Sequence, residues 1–83
     1  MIDPELCRAI GTVLFEANDR PLTPRALSTF VRNYVRTPAT VADVQAALVH
    51  LETRGDVRRI ADPDAPEILS YVLTTAGKVR FPG

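Results

Sequence analysis

TPATVADVQAALVHLETRG, residues 37–55, carries the pattern that decides the fold. Val41, Val44, Ala47, Leu48 and Leu51 recur at spacings of three and four, which places them on one face of a helix. Thr37 before Pro38 reads as a cap residue followed by a proline whose fixed φ suits the first helical position. Arg54 in the last turn and Gly55 beyond it read as the stop. The spacing therefore predicts a helix over about 38–54. Directly after Gly55 the period changes from helical to alternating. DVRRI and EILSYVL read as two strands, about 57–73 together, around a turn built on Asp62-Pro63-Asp64-Ala65-Pro66.

Upstream, Asp3-Pro4-Glu5 is a helix start, and Leu6, Ile10, Val13, Leu14 and Ala17 keep one face over about 4–17. Gly11 inside it either costs helix stability or permits a close approach. Asn18-Asp19-Arg20 ends that helix, and Pro21-Leu22 is extended, long enough for one or two sheet bonds. Thr23-Pro24 repeats the Thr-Pro start, and Leu27, Phe30, Val31, Tyr34 and Val35 mark the buried face of a second helix over about 24–34. Phe30, Tyr34 and Tyr71 are expected in the core. Phe81 is expected either to anchor a partner or to fold back onto the first helix. The order of elements is α+β, helices first and hairpin last.

Length and composition narrow the functional classes. A chain of 83 residues is expected to form a single domain, and one so small buries only about 60–65% of its unfolded surface. A homodimer would add to that burial, and the first helix would have to serve as its contact. Apolar residues at 46% and charged residues at 24% are those of an ordinary globular protein. No apolar run approaches the ~20 residues of a membrane span, and MIDPELCRAI lacks the plan of a signal peptide. The expected location is the cytoplasm, with no membrane partner.

Cys7 and His50 are the only residues of their types, which excludes an internal disulfide and a multi-thiolate or histidine-rich metal site. As a nucleophile–base pair they are outweighed by the bland readings, a small buried thiol and a histidine at a helix C-terminus. No glycine-rich phosphate loop, metal constellation or triad is visible. The expectation is no enzyme, no cofactor, no metal and no small-molecule ligand. Lys+Arg and Asp+Glu are 10 each, so the net charge is zero, and nine of the ten cations are arginine.

TVADVQAALVHLETRGDVRRI and YVLTTAGK, residues 40–60 and 71–78, resemble the winged helix-turn-helix superfamily. The likeness covers about residues 20–80. It implies a winged helix in which helix 3 enters the major groove of double-stranded DNA and the hairpin wing lies beside the backbone. Carried onto this sequence, Thr37, Thr40 and Gln45 would sit near the groove. Arg36, Arg58 and Arg59 would meet phosphates or the minor groove. The implied function is a small DNA-binding transcriptional regulator acting by occupying its site.

The residues themselves keep a second reading open. Rotating helix 3 with Val44 inward puts Ala39, Ala42, Ala46, Val49 and Thr53 outward, with no basic side chain from Pro38 to Glu52. Asp62, Asp64 and Glu67 make the wing tip acidic. Ala42, Ala46 and Val49, or the wing, would then serve a protein–protein interaction module on the same fold. Arg58 and Arg59 would be solvated strand residues paired with Asp56 or Glu52, and Thr37 no more than a cap.

Overall fold

A computed structural model describes residues 3–81. α1 (Pro4–Glu16) is capped by Asp3, whose carboxylate accepts the Glu5 amide at 2.9 Å. It ends at Asn18 and Asp19, both with positive φ, a conformation that these two residue types tolerate best after glycine. α2 (Pro24–Phe30) is capped by Thr23 and tightens into a 3₁₀ turn at Val31–Asn33. α3 (Val41–Thr53) follows, then β1 (Val57–Ala61), β2 (Leu69–Leu73) and α4 (Thr75–Arg80). β1 and β2 are antiparallel, with Val57 opposite Leu73 and Ala61 opposite Leu69. Leu22 bridges to the other edge of β2 through two bonds with Tyr71, at 3.1 and 2.8 Å.

The core is where the three-and-four spacing places it. Ile10, Leu27, Val31, Val44, Leu48 and Leu51 have no exposed surface. At roughly 1.5–3 kcal/mol for each fully buried aliphatic side chain, these six outweigh every surface pairing in the molecule.

Four expectations are corrected. α3 starts at Val41, capped by Thr40 and not by Thr37. The Thr40 hydroxyl accepts the Asp43 amide and the Asp43 carboxylate accepts the Thr40 amide, each at 3.1 Å. That reciprocal pair satisfies two groups at once, which Thr37-Pro38 cannot match. Val41 is consequently at the helix edge and 37% exposed. Phe30 and Tyr34 are 48% and 44% exposed, not core: Phe30 lies about 100° round α2 from the face that buries Leu27, Ser28 and Val31, and the 3₁₀ turn breaks the helical period before Tyr34. Tyr34 instead reaches α1, donating its phenol to the Glu16 carboxylate at 3.0 Å, and that bond holds its pKa above the ordinary value. Ala39 precedes the helix and packs half-buried against the core instead of facing outward. Asp56 is paired with neither Arg58 nor Arg59.

The junction of α3, the wing and α4 is the most constrained place in the fold. Gly55 takes φ +84° and ends α3 as a Schellman turn, with Asp56 N–H donating to Leu51 O at 2.9 Å and Gly55 N–H to Glu52 O at 3.0 Å. Asp56 O then accepts the Thr74 amide at 3.0 Å. The Thr74 hydroxyl donates to Gly55 O at 2.7 Å and accepts the Gly77 amide at 3.0 Å, capping α4. Gly77 lies so close to Asp56 O that no β-carbon fits. The Asp56 carboxylate is fully buried, taking Arg80 Nε at 3.1 Å and facing Arg54 Nε at 3.6 Å. This clasp fixes the angle of the wing to α3. On the far side Phe81 folds back so that its ring covers Gly11 of α1.

Candidate nucleic-acid interface

The N-terminus of α3 is positioned by tertiary bonds to both preceding helices. Ser28 of α2, itself buried, donates its hydroxyl to Ala39 O at 2.8 Å, one residue before the cap. The Arg36 amide donates to the Glu5 carboxylate of α1 at 3.1 Å. With Val44, Ala47, Leu48 and Leu51 buried, the opposite face of α3 is Ala42, Gln45, Ala46, Val49 and Thr53, all exposed. Val49 is the most exposed of the large apolar residues there, at 60%. Thr53 turns its hydroxyl back to Val49 O at 2.9 Å, so its proton is committed to the helix. A helix of 13 residues is about 20 Å long, and a major groove about 12 Å wide admits it.

Each expected site residue can now be placed. Thr37 lies exposed in the turn, several residues ahead of the helix. Thr40 is the cap, and its hydroxyl, though accepting from Asp43, still has its own proton to donate. Gln45 is exposed along the border of the outer face. Arg36 is exposed in the turn, anchored by its backbone and not by its side chain. Arg58 and Arg59 are neighbours on β1 and so point to opposite faces of the hairpin. Arg59 is engaged, with Nε 2.7 Å from Glu52 Oε2. Arg58 has no ion pair among the described residues.

Four further arginines, all exposed and without ion pairs among the described residues, were not picked out by sequence: Arg8 and Arg20, and, on the elements just ahead of α3, Arg25 in the first turn of α2 and Arg32 in the 3₁₀ turn. In helix-turn-helix proteins the helix before the recognition helix crosses the DNA backbone, the signal that could have found Arg25 and Arg32.

The opposite border of α3 has a different character. His50 and Arg54 turn into a cleft between α1 and α4 that Cys7, Arg8, Arg80 and Phe81 also line. Cys7 and His50 thus share one cleft, but no hydrogen bond joins them. Burial pushes the Cys7 thiol above its ordinary pKa, outweighing Arg54, which acts in the other direction. Such a thiol is protonated at neutral pH and a poor nucleophile. Cys7 is expected to react with a disulfide reagent at pH 7.5 far more slowly in the folded protein than in urea. Equal rates in the two states would show that the thiol is neither buried nor protonated.

No protein-family model and no curated protein matches the chain. Solved structures do. Streptococcus pneumoniae FabT in complex with DNA superposes with a TM-score of 0.74 over 98% of this chain at 20% identity. The S. aureus MepR–DNA complex gives 0.71 over 92% at 22% identity. The transcriptional regulator BldR from Sulfolobus solfataricus gives 0.66 over 87% at 26% identity. The chain spans about half the length of those proteins, 50%, 56% and 48% respectively. The fold is that of the winged helix-turn-helix superfamily, as the pattern of residues 40–78 implied.

Proposed function

We propose that this chain binds double-stranded DNA through α3 and serves as the DNA-binding part of a cytoplasmic transcriptional regulator that acts by occupying its site. One observation carries the reading. The frame that presents α3 superposes on FabT and MepR structures solved with DNA, and in this chain the outer face of α3 is left uncovered. On this reading Thr40 and Gln45 face the groove. Arg25, Arg32, Arg36 and Arg58 supply phosphate contacts, as unpaired guanidinium groups can. Arg59 is withdrawn from that set by Glu52, and Thr37 by its place in the turn.

The test is a fluorescence-anisotropy titration against a random duplex at low and moderate salt. Four phosphate contacts would give a slope of log affinity on log salt of about −3.6, since each is worth about −0.9. Arg58→Ala is expected to weaken binding and to reduce the slope by about one. Arg59→Ala should change both less, because its charge is already compensated. Equal effects of the two would remove the wing from the interface. The competing use of this face, docking of a protein on Ala42, Ala46 and Val49, is favoured by the exposure of Val49 and the absence of cations on α3. Flat anisotropy at low salt would select it.

A further inference from the structure

Resting on the DNA-binding reading, we infer that α3 reads thymine methyl groups, so that the preferred duplex is A·T-rich and recognised by its 5-methyls. The outer stripe of α3 carries Ala42, Ala46 and Val49, whose exposed atoms are methyls. None of these side chains is long enough to hold the helix away from the groove floor. The base edges a protein can read in the major groove fall into few chemical kinds. Guanine is most often read by arginine or lysine at O6 and N7, and Val41–Thr53 contains neither. Cytosine is read by a carboxylate at N4, and the one acid at the DNA end of α3, Asp43, is tied to the Thr40 amide. Glu52, near the other end, is tied to Arg59. Adenine is read by an amide at N6 and N7, and Gln45 is the one amide side chain on α3. Thymine is read by apolar contact with its methyl, and three apolar side chains stand in line for it. His50 is turned to the α1–α4 cleft and does not compete. The Thr40 hydroxyl can serve any base and so does not discriminate, which leaves methyl burial, with Gln45, as the means by which the face tells A·T from G·C.

Three duplexes of one length and one salt concentration test this by anisotropy: an A·T-rich one, the same sequence with every thymine replaced by uracil, and a G·C-rich one. Uracil removes the methyl while leaving base pairing and the minor-groove acceptors in place. Burying a methyl is worth about fourfold in affinity, so loss of two or three should weaken binding at least about tenfold. Val49→Ser, at an exposed position, should shrink the thymine-over-uracil ratio by about fourfold or more while leaving the salt slope unchanged. Circular dichroism of that variant should match the parent. Equal, salt-dependent affinity for the thymine and uracil duplexes would overturn methyl reading and leave DNA binding standing. A thymine preference unchanged by Val49→Ser would equally overturn the assignment to this stripe. Absence of binding to all three duplexes would overturn the DNA reading itself, and methyl reading with it.

Discussion

Replacing Gly77 by alanine is expected to lower the melting temperature by roughly 10–20 °C, a loss of about 2–3 kcal/mol in a chain of this size. The new β-carbon would fall on the carbonyl oxygen of Asp56 and within 3.0 Å of both its carbonyl carbon and Leu73 Cδ2. Backbone cannot swing aside as a side chain can. Asp56 is held from several directions: its amide donates to Leu51, its carbonyl accepts from Thr74, and its carboxylate takes Arg80. Pushing it away therefore loosens the end of α3, the root of the wing and α4 together. Total stability for 83 residues is about 4–12 kcal/mol, so the loss is a large fraction of it. Gly11→Ala is the control. The nearest atoms to its β-carbon all belong to the ring of Phe81, a side chain that can turn aside as a carbonyl cannot, and alanine restores about 1 kcal/mol of helix propensity. That variant should melt within a few degrees of the parent. Similar melting of the two variants would mean that α4 is not seated on Asp56.

Gly77 also shows what the sequence makes legible and what it hides. YVLTTAGK resembles the close of a wing, yet no local rule says why a glycine stands at position 77. The reason is contact across a separation of 21 residues, with a carbonyl that no periodicity marks. The spacing of Val44, Ala47, Leu48 and Leu51 was readable because helical period and burial report the same thing. The strands at Val57 and Leu69 were readable because the period changed after Gly55. Thr23-Pro24 and Thr37-Pro38 offered the same local signal, and only the first starts a helix. At the second, Thr40 and Asp43 cap each other, and the Ser28 hydroxyl holds Ala39 in the turn. A stronger local cap and one tertiary bond override the Thr-Pro signal there. Tyr34 was misread because a 3₁₀ turn breaks the 3.6-residue period on which a core assignment depends, and Phe30 because it sits at the edge of the face that Leu27 and Val31 bury.

The same partition governs the candidate site. The outward stripe of α3 follows from its buried stripe, so Ala42, Ala46, Val49 and Thr53 could be placed by rotation alone. Which arginines are available could not. Arg54 and Arg80 are drawn to Asp56, Arg59 to Glu52, and Lys78 to Asp19. Zero net charge in the sequence thus becomes uneven in space. Four cations are compensated in this way, while Arg8 and Arg20 near α1, Arg25, Arg32 and Arg36 ahead of α3, and Arg58 on the wing have no ion pair among the described residues.

Charge placed at position 46 should move duplex affinity in both directions. Ala46 is on the exposed stripe and beside a shallow hollow that Asp3, Glu5 and Asp43 also line. Ala46→Glu adds a fourth carboxylate, on the face that would enter the groove between two rows of phosphates. At 4 Å in water a like-charge contact costs about 1 kcal/mol, and less solvent at the interface raises that, so a loss of at least about tenfold is expected at low salt. Ala46→Lys should instead tighten binding severalfold and steepen the salt slope by about one, as a new phosphate contact does. Neither change touches the core, so both variants should keep the parent melting temperature to within about 0.5 kcal/mol of stability. The opposite signs are what make the pair informative. A docked protein that buries an apolar stripe would be repelled by glutamate and lysine alike, since either charge would lose its water. Opposite changes in duplex affinity assign the face to DNA. Indifference of duplex binding to both variants, with a partner lost to both, assigns it to protein.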